Sequence, residues 1–261
     1  GLSRWHPVYI FFKFIEKYLY KHSDHIITLL PDSFQHIISN GGERNKITWI
    51  PNGVDLSNRP SLPRKNYEDP FTITYFGAHG PYSGLEKLID AVAILRDRSW
   101  QKDSTRFLLI GEGPKKHLIE RSKALGVVDF FDFRDPVPKN KLWDNISNTD
   151  VFLMIALPIA AHKKGISPNK VWEYFAAERP VIFSIEWGDK MAQESKAGIA
   201  VTPGDAVSLA DGIECLCAME EKERERLGEN GRRYIAANAD IPKLVNKLED
   251  LLFQVKKSDT I

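Results

Sequence analysis

The sequence predicts an α/β fold built on a doubly wound parallel sheet, and three observations predict it. Short apolar or β-branched runs recur from Phe71 onward, helical patterns fall between them, and glycines mark several of the strand-to-helix turns. Strands and helices alternating at this spacing form βαβ units, whose crossovers cover both faces of a parallel sheet.

The elements follow in chain order. Pro7 to Ser23 places Val8, Phe11, Phe12, Ile15 and Leu19 on one helical face, with Pro7 suited to the first turn. Two strand-like runs, His25–Leu30 and Lys46–Ile50, flank a short helix over Pro31–Asn40 that Gly41-Gly42 would end. Pro51-Asn52-Gly53-Val54-Asp55 is a turn sequence, and the Pro-, Asn- and charge-rich stretch after it, 57–70, reads as a linker. Beyond it Phe71–Phe76, Arg106–Ile110, Phe130–Phe133, Asp150–Ile155, Pro180–Phe183 and Ile199–Val201 are predicted strands. Predicted helices are Gly84–Leu95, Pro114–Leu125, Lys139–Ser147, Asn169–Ala177, Lys190–Ala197, Ser208–Met219, Lys222–Ala237 and Ile241–Val255. The pattern therefore divides the chain into residues 1–56, a linker over 57–70, and a regular α/β domain over 71–261 closed by two further helices.

Composition narrows the function. A net charge of +1 over 261 residues gives nucleic acid no electrostatic footprint, so it is excluded as a partner. No apolar run reaches the ~18 residues of a membrane span. Cys215 and Cys217 are the only cysteines and lie two apart on a predicted helix, which reads as reduced packing residues of a cytoplasmic protein. The start at Gly1, without an initiator Met or signal peptide, suggests an artificial boundary. The aromatic and basic segment 5–21 has two readings. Its apolar face packs on the rest of the first domain, or it lies on a membrane surface as a peripheral contact.

Three segments could carry chemistry. The strand ending at Phe76 runs into Gly77-Ala78-His79-Gly80 and then a helix, which lets backbone N–H groups approach a phosphate at a positive helix end. A tight structural connection is the alternative. His79 is either a surface loop histidine or a donor to phosphate or sugar. Gly111-Glu112-Gly113-Pro114 repeats the arrangement after the next strand, and alone it reads as structural. The segment Lys164-Gly165-Ile166-Ser167-Pro168-Asn169-Lys170-Val171-Trp172-Glu173-Tyr174 leads into a helix that Ser167 or Asn169 would cap. Lys170 offers charge to a diphosphate, and Glu173 could accept hydrogen bonds from a ribose diol. The alternative is an i, i+3 ion pair between Lys170 and Glu173 on a solvated face. No Asp-x-Asp pair or clustered metal-ligand set is present, so no metal is expected.

Taken together, the strings Ile50-Pro51-Asn52-Gly53-Val54-Asp55, Tyr75-Phe76-Gly77, Leu88-Ile89-Asp90-Ala91, Leu109-Ile110-Gly111-Glu112-Gly113-Pro114, Ser167-Pro168-Asn169-Lys170 and Arg179-Pro180-Val181-Ile182 resemble a family 4 glycosyltransferase. The branch most resembled makes bacterial surface polysaccharides such as O-antigen and capsule. The resemblance is collinear over nearly the whole chain. It implies a GT-B enzyme with a Rossmann-like C-terminal domain, which binds a nucleotide-sugar (usually a UDP-sugar) while an N-terminal domain binds the glycan or lipid-linked acceptor. It also implies transfer of a hexosyl or N-acetylhexosaminyl unit with retention, no cofactor and no metal, and a cytoplasmic location that could include the inner face of the membrane. Residues 1 to about 55 would be the end of the acceptor domain, so this chain alone would be inactive.

By match of motif, the resemblance assigns Glu173 to the ribose as the second glutamate of a Glu-x7-Glu signature. It puts Ile166 and Ser167, with Asn169, near the donor sugar and phosphate, and Phe133, Arg134 and Asp135 near the base. Gly77 and Gly80 line the phosphate turn, and His79 and Lys170 are the candidate catalytic groups. Three positions depart from the pattern. Gly165 replaces the first signature glutamate, Ala78 and Ser83 replace a basic pair, and Glu178 stands where a left-handed glycine is usual. The first two departures are shared with the branch carrying Ser-Pro-Asn-Lys, so they do not imply inactivity. His79 and Lys170, with His162, Lys163 and Lys164 in reserve, would supply the missing charge. Two alternatives stay open: a non-catalytic nucleotide-sugar-binding subunit with a partner chain, and a UDP-sugar epimerase of GT-B fold.

Overall fold

The computed structural model describes residues 3, 5–59, 62, 69–159 and 169–258. Helix α1 (Pro7–His22) leads into a two-stranded parallel sheet, β1 (Ile26–Thr28) and β2 (Ile47–Trp49), joined through α2 (Phe34–Ser39). Parallel pairing across a helical crossover is itself a βαβ unit. The predicted helix from Pro31 begins only at Phe34, because Ser33 N–H bonds back to Leu30 O and closes a turn first.

The larger sheet contains β3 (Phe71–Phe76), β4 (Thr105–Ile110), β5 (Phe131–Arg134), β6 (Val151–Ile155), β7 (Val181–Ser184) and β8 (Gly198–Ala200). Its helices are α3 (Leu85–Asp97), α4 (Lys116–Ala124), α5 (Lys139–Asn145), α6 (Asn169–Ala176), α7 (Gly188–Ser195) and α8 (Ala206–Ala218), followed by α9 (Glu221–Asn238) and α10 (Ile241–Ser258). All pairings are parallel in the order β5-β4-β3-β6-β7-β8. Counted from its own first strand, the order is 3-2-1-4-5-6, that of a doubly wound nucleotide-binding sheet, and it reverses between β3 and β6.

Alternation along the strands divides the core between two layers. Ile73, Tyr75, Phe107, Leu109, Val151, Leu153 and Ile155 face α3, α4 and α8. Phe76, Leu108, Ile110, Phe152, Met154 and Phe183 face α6, α7 and α9. Both faces are therefore dry, as a parallel sheet requires. Leu62 from the predicted linker, and Leu56 just before it, also join the second layer, and Leu62 is 5% exposed.

Several helix ends differ from the expected ones. Asp205 accepts from the N–H groups of Val207 and Ser208 and so starts α8 two residues early. α7 ends at Ser195 because Lys196 turns left-handed at φ 51°. The 3-10 turns at Arg44–Lys46, Leu56–Asn58 and Val128–Phe130 are too short to leave a periodic pattern in sequence. Cys217 is partly buried, whereas Cys215 is exposed and is no packing residue. Among the described residues no helix is long and apolar enough to cross a membrane.

Candidate functional site

The site is built where the order of the large sheet reverses. β3 and β6 pair only through Ile73 with Val151 and Thr74 with Phe152, and beyond those pairs the strands diverge. The Tyr174 hydroxyl from α6 enters that gap. It accepts from Phe76 N at 3.3 Å and lies 3.3 Å from Leu153 O, which it can donate to. Its ring stacks on Phe152 with centroids 4.4 Å apart. This packing brings the first turn of α6 against the C-terminal end of β3.

Lys170 is thereby held with its ammonium 4.2 Å from the centroid of the Tyr75 ring. A cation over an aromatic face gains only about 0.5–2 kcal/mol, and among the described residues no carboxylate pairs with it. Burial lowers its pKa from the usual 10.5 to about 8. The Tyr75 hydroxyl, pushed up to about 12 by burial, stays protonated and donates to Ala78 O at 2.7 Å. That bond fixes the turn in which Gly77 adopts φ 146°, a conformation closed to most other residues. A Cβ on Gly77 would stand 3.4 Å from Lys170 Nζ, so the sequence-distant Gly77 and Lys170 adjoin. Gly80, also from this turn, borders open space.

His79 is not the surface loop histidine offered as an alternative, since it is 1% exposed. Its N–H bonds to Glu112 O at 2.7 Å, so the turn after β3 leans on the one after β4. A Cβ on Gly111 would lie 1.8 Å from Gly77 O, which makes that glycine obligatory for the packing and bears out its structural reading. Among the described residues neither ring nitrogen of His79 has a hydrogen-bond partner. Burial, then the charges of Lys115, Lys170 and His117, lower its pKa to about 4. His79 is thus a neutral imidazole with one N–H to donate and one nitrogen free to accept.

Glu173 does not form the surface ion pair offered as its alternative reading. It is 7% exposed, so it lies on no solvated face, and its partner is not Lys170. Arg59 Nε donates to its Oε2 at 2.9 Å, and Lys139 Nζ lies 3.9 Å from its Oε1. Lys139 opens α5, a few residues after Arg134, which ends β5, and Asp135, so the glutamate's neighbour comes from the segment that follows the expected base-reading residues. Arg134 bonds Asp132 at 2.7 Å through its terminal nitrogen. Asp135 is exposed and accepts from Lys115 at 2.6 Å, which holds its carboxyl below the usual range. Asn169 is the first residue of α6 rather than its cap. Ile166, Ser167, Gly165, His162, Lys163 and Lys164 lie outside the described residues.

Sequence reasoning missed Tyr75, Tyr174, Arg59, Lys115 and Lys139. Only the aromatic pair left a signal, as large residues flanking the glycine turn and the Lys170–Glu173 string. Among the described residues no group of three or more His, Cys, Asp or Glu is placed to hold a metal ion. A groove of about 650 Å³ lined by Pro70, Lys102, Thr105, Arg106 and Phe131 lies by the starts of β4 and β5, away from this cluster.

The strand order and the glycine turn are those of a doubly wound nucleotide-binding domain, and the structural neighbours that share this fold are GT-B glycosyltransferases. The chain belongs to the glycosyl transferases group 1 family, whose model matches residues 70–219. It is similar in structure to sucrose-phosphate synthase from Thermosynechococcus elongatus, with TM-score 0.74 and 18% identity over 94% of this chain and 62% of that one. It is similar also to Anabaena HepE in complex with UDP and glucose, with TM-score 0.71 and 17% identity over 90% of this chain and 64% of that one. WaaG, a glycosyltransferase involved in lipopolysaccharide biosynthesis, gives TM-score 0.69 and 16% identity over 95% of this chain and 68% of that one. The chain thus spans less than two thirds of the first of these proteins. A search of curated protein sequences finds no significant match.

Proposed function

We propose that this chain is the donor-binding part of a retaining, metal-independent glycosyltransferase that moves a hexosyl or N-acetylhexosaminyl unit from a UDP-sugar to a growing surface glycan. The observation that carries the reading is the meeting of Lys170, His79 and the Gly77 turn at the strand-order reversal. A diphosphate is a good leaving group, so the protein's main task is to stabilise the charge that develops on it. Lys170 supplies the positive charge, the Gly77–Gly80 backbone permits close approach, and neutral His79 supplies one hydrogen bond. Glu173 takes the ribose, and the loop at Arg134 and Asp135 takes the base. We assign Asn169, at the start of α6, to the donor sugar together with Ile166 and Ser167, which precede it in sequence.

The acceptor, a glycan or a lipid-linked sugar, belongs in this reading to an N-terminal domain of which residues 1–56 are the end. The exposed apolar face of α1, including Phe11, Phe12, Phe14 and Leu19, is where the remainder of that domain would pack. Lys13, Lys17 and Lys21 beside those aromatics keep peripheral contact with the cytoplasmic face of a membrane as the second reading.

Calorimetry with UDP, UDP-sugars and GDP-sugars tests the proposal. UDP and at least one UDP-sugar should bind, GDP should bind more weakly, and EDTA should change the UDP Kd by less than about twofold, because no bridging ion is involved. Preference for GDP, or a more than about tenfold loss of UDP affinity on adding EDTA, would refute it. Sugar transfer should be absent with this chain alone.

A further inference from the structure

We propose that Arg59 is a positioning residue for the ribose, holding one oxygen of Glu173 so that the other is presented to the nucleotide. This rests on the reading of Glu173 as the ribose carboxylate. The motif places only the glutamate, and nothing in the sequence near Glu173 indicates what would orient it.

The geometry is one-sided. Arg59 Nε takes Oε2 at 2.9 Å, while Oε1 faces Lys139 Nζ at 3.9 Å, beyond hydrogen-bond reach. A carboxylate has about four lone-pair sites, so Oε1 keeps its capacity to accept from ribose hydroxyls. The guanidinium is itself fixed from three directions. NH1 donates to Asn58 O at 3.0 Å, the guanidinium carbon lies 5.5 Å from the Trp143 ring centroid, and Nε meets the glutamate. The main chain is tied down as well, since Arg232 NH1 donates to both Arg59 O and Ala176 O at 2.6 Å. Ala176 is the last residue of α6, the helix that carries Glu173. Arg59 is therefore clamped to that helix by backbone and side chain together. Arginine suits this role because its planar fork fixes a direction that a lysine ammonium leaves free.

Arg59 also lies in the segment joining the two sheets, between β2 and β3. The orientation of the ribose carboxylate is thus set from outside the nucleotide domain's own sheet and helices. A shift of the joining segment would release Glu173, which couples nucleotide affinity to the setting of that segment.

The test compares UDP with 2′-deoxy-UDP in Arg59→Gln, Arg59→Lys and Glu173→Ala, with a thermal melt of each variant. Arg59→Gln should weaken UDP by about 3–10-fold and 2′-deoxy-UDP by less than about twofold, since only the hydroxyl contact loses its alignment. Arg59→Lys should show a smaller loss with the same selectivity, and it is the variant to read if the glutamine form does not fold. Equal weakening of both nucleotides would make Arg59 merely structural and overturn the proposal. Tighter binding of UDP would also overturn it, because Arg59 would then block Glu173. Glu173→Ala separates the two levels. If it keeps the full wild-type preference for UDP, the ribose reading itself fails. If it abolishes that preference while both Arg59 variants retain it, only the Arg59 proposal fails.

Discussion

In the proposed reading Lys170 supplies the charge at the diphosphate, and its environment makes a signed prediction. Its pKa of about 8 means that the ammonium begins to lose its proton within an accessible pH range. A bound diphosphate favours the charged form and raises that pKa. UDP affinity should therefore be full below about pH 8 and fall by up to about tenfold per unit above it, because binding must then take up a proton. Calorimetry at pH 7.0, 8.0 and 9.0 reads this slope. Lys170→Met should bind more weakly and show a flat profile, and a slope equal to the wild type's would remove Lys170 from the diphosphate site. Part of this site was legible in sequence. Gly77 followed a strand and Lys170 preceded a helix core, so turn chemistry and periodicity indicated both positions. Arg59 was not legible, because it reaches Glu173 across 114 residues and its segment reads only as linker. Nor was the burial of His79, which depends on the Gly111 turn closing over it.

At the scale of elements, α6 joins structure to function. Its Tyr174 bridges the gap between β3 and β6, its first turn carries Lys170, and its next carries Glu173. The type and order of the elements could be read from apolar periodicity, since the inner strands β3, β4, β6 and β7 bury residues on both faces. Helix ends were less legible, because they depend on caps such as Asp205 and on left-handed residues such as Lys196. The left-handed residue after α6 was foreseen, and Glu178 does adopt φ 56° where glycine would be unstrained. Placing a residue with a Cβ there costs about 1 kcal/mol or more. The ion pair of Glu178 with Arg232, at 3.5 Å and partly exposed, returns only a fraction of that. Glu178→Gly should therefore stabilise the fold by roughly 0.5–1 kcal/mol, raising Tm by about 1–4 °C. A thermal melt showing an unchanged or lower Tm would contradict this account of the α6 terminus.

At the scale of the molecule, the chain joins a complete doubly wound sheet to a two-stranded βαβ unit. α10 returns to that unit: Ile241 N–H bonds to Val54 O at 3.1 Å, and Lys247 reaches Trp49 O at 2.9 Å. Asp32 from the small unit accepts from Trp187 at 2.9 Å and pairs with Lys190, so the small unit is also fastened to α7 and the residue before it. In the proposed reading the nucleotide lies at the strand-order reversal of the large sheet. The structure of the chain with UDP bound is the most direct test of that placement. Diphosphate oxygens should lie within hydrogen-bond distance of Lys170 Nζ and the Gly77–Gly80 turn, the ribose diol should meet Glu173 Oε1, and uracil should lie at the Arg134–Asp135 loop. UDP bound instead in the groove lined by Pro70, Lys102, Arg106 and Phe131, or anywhere else away from Lys170, would contradict the account.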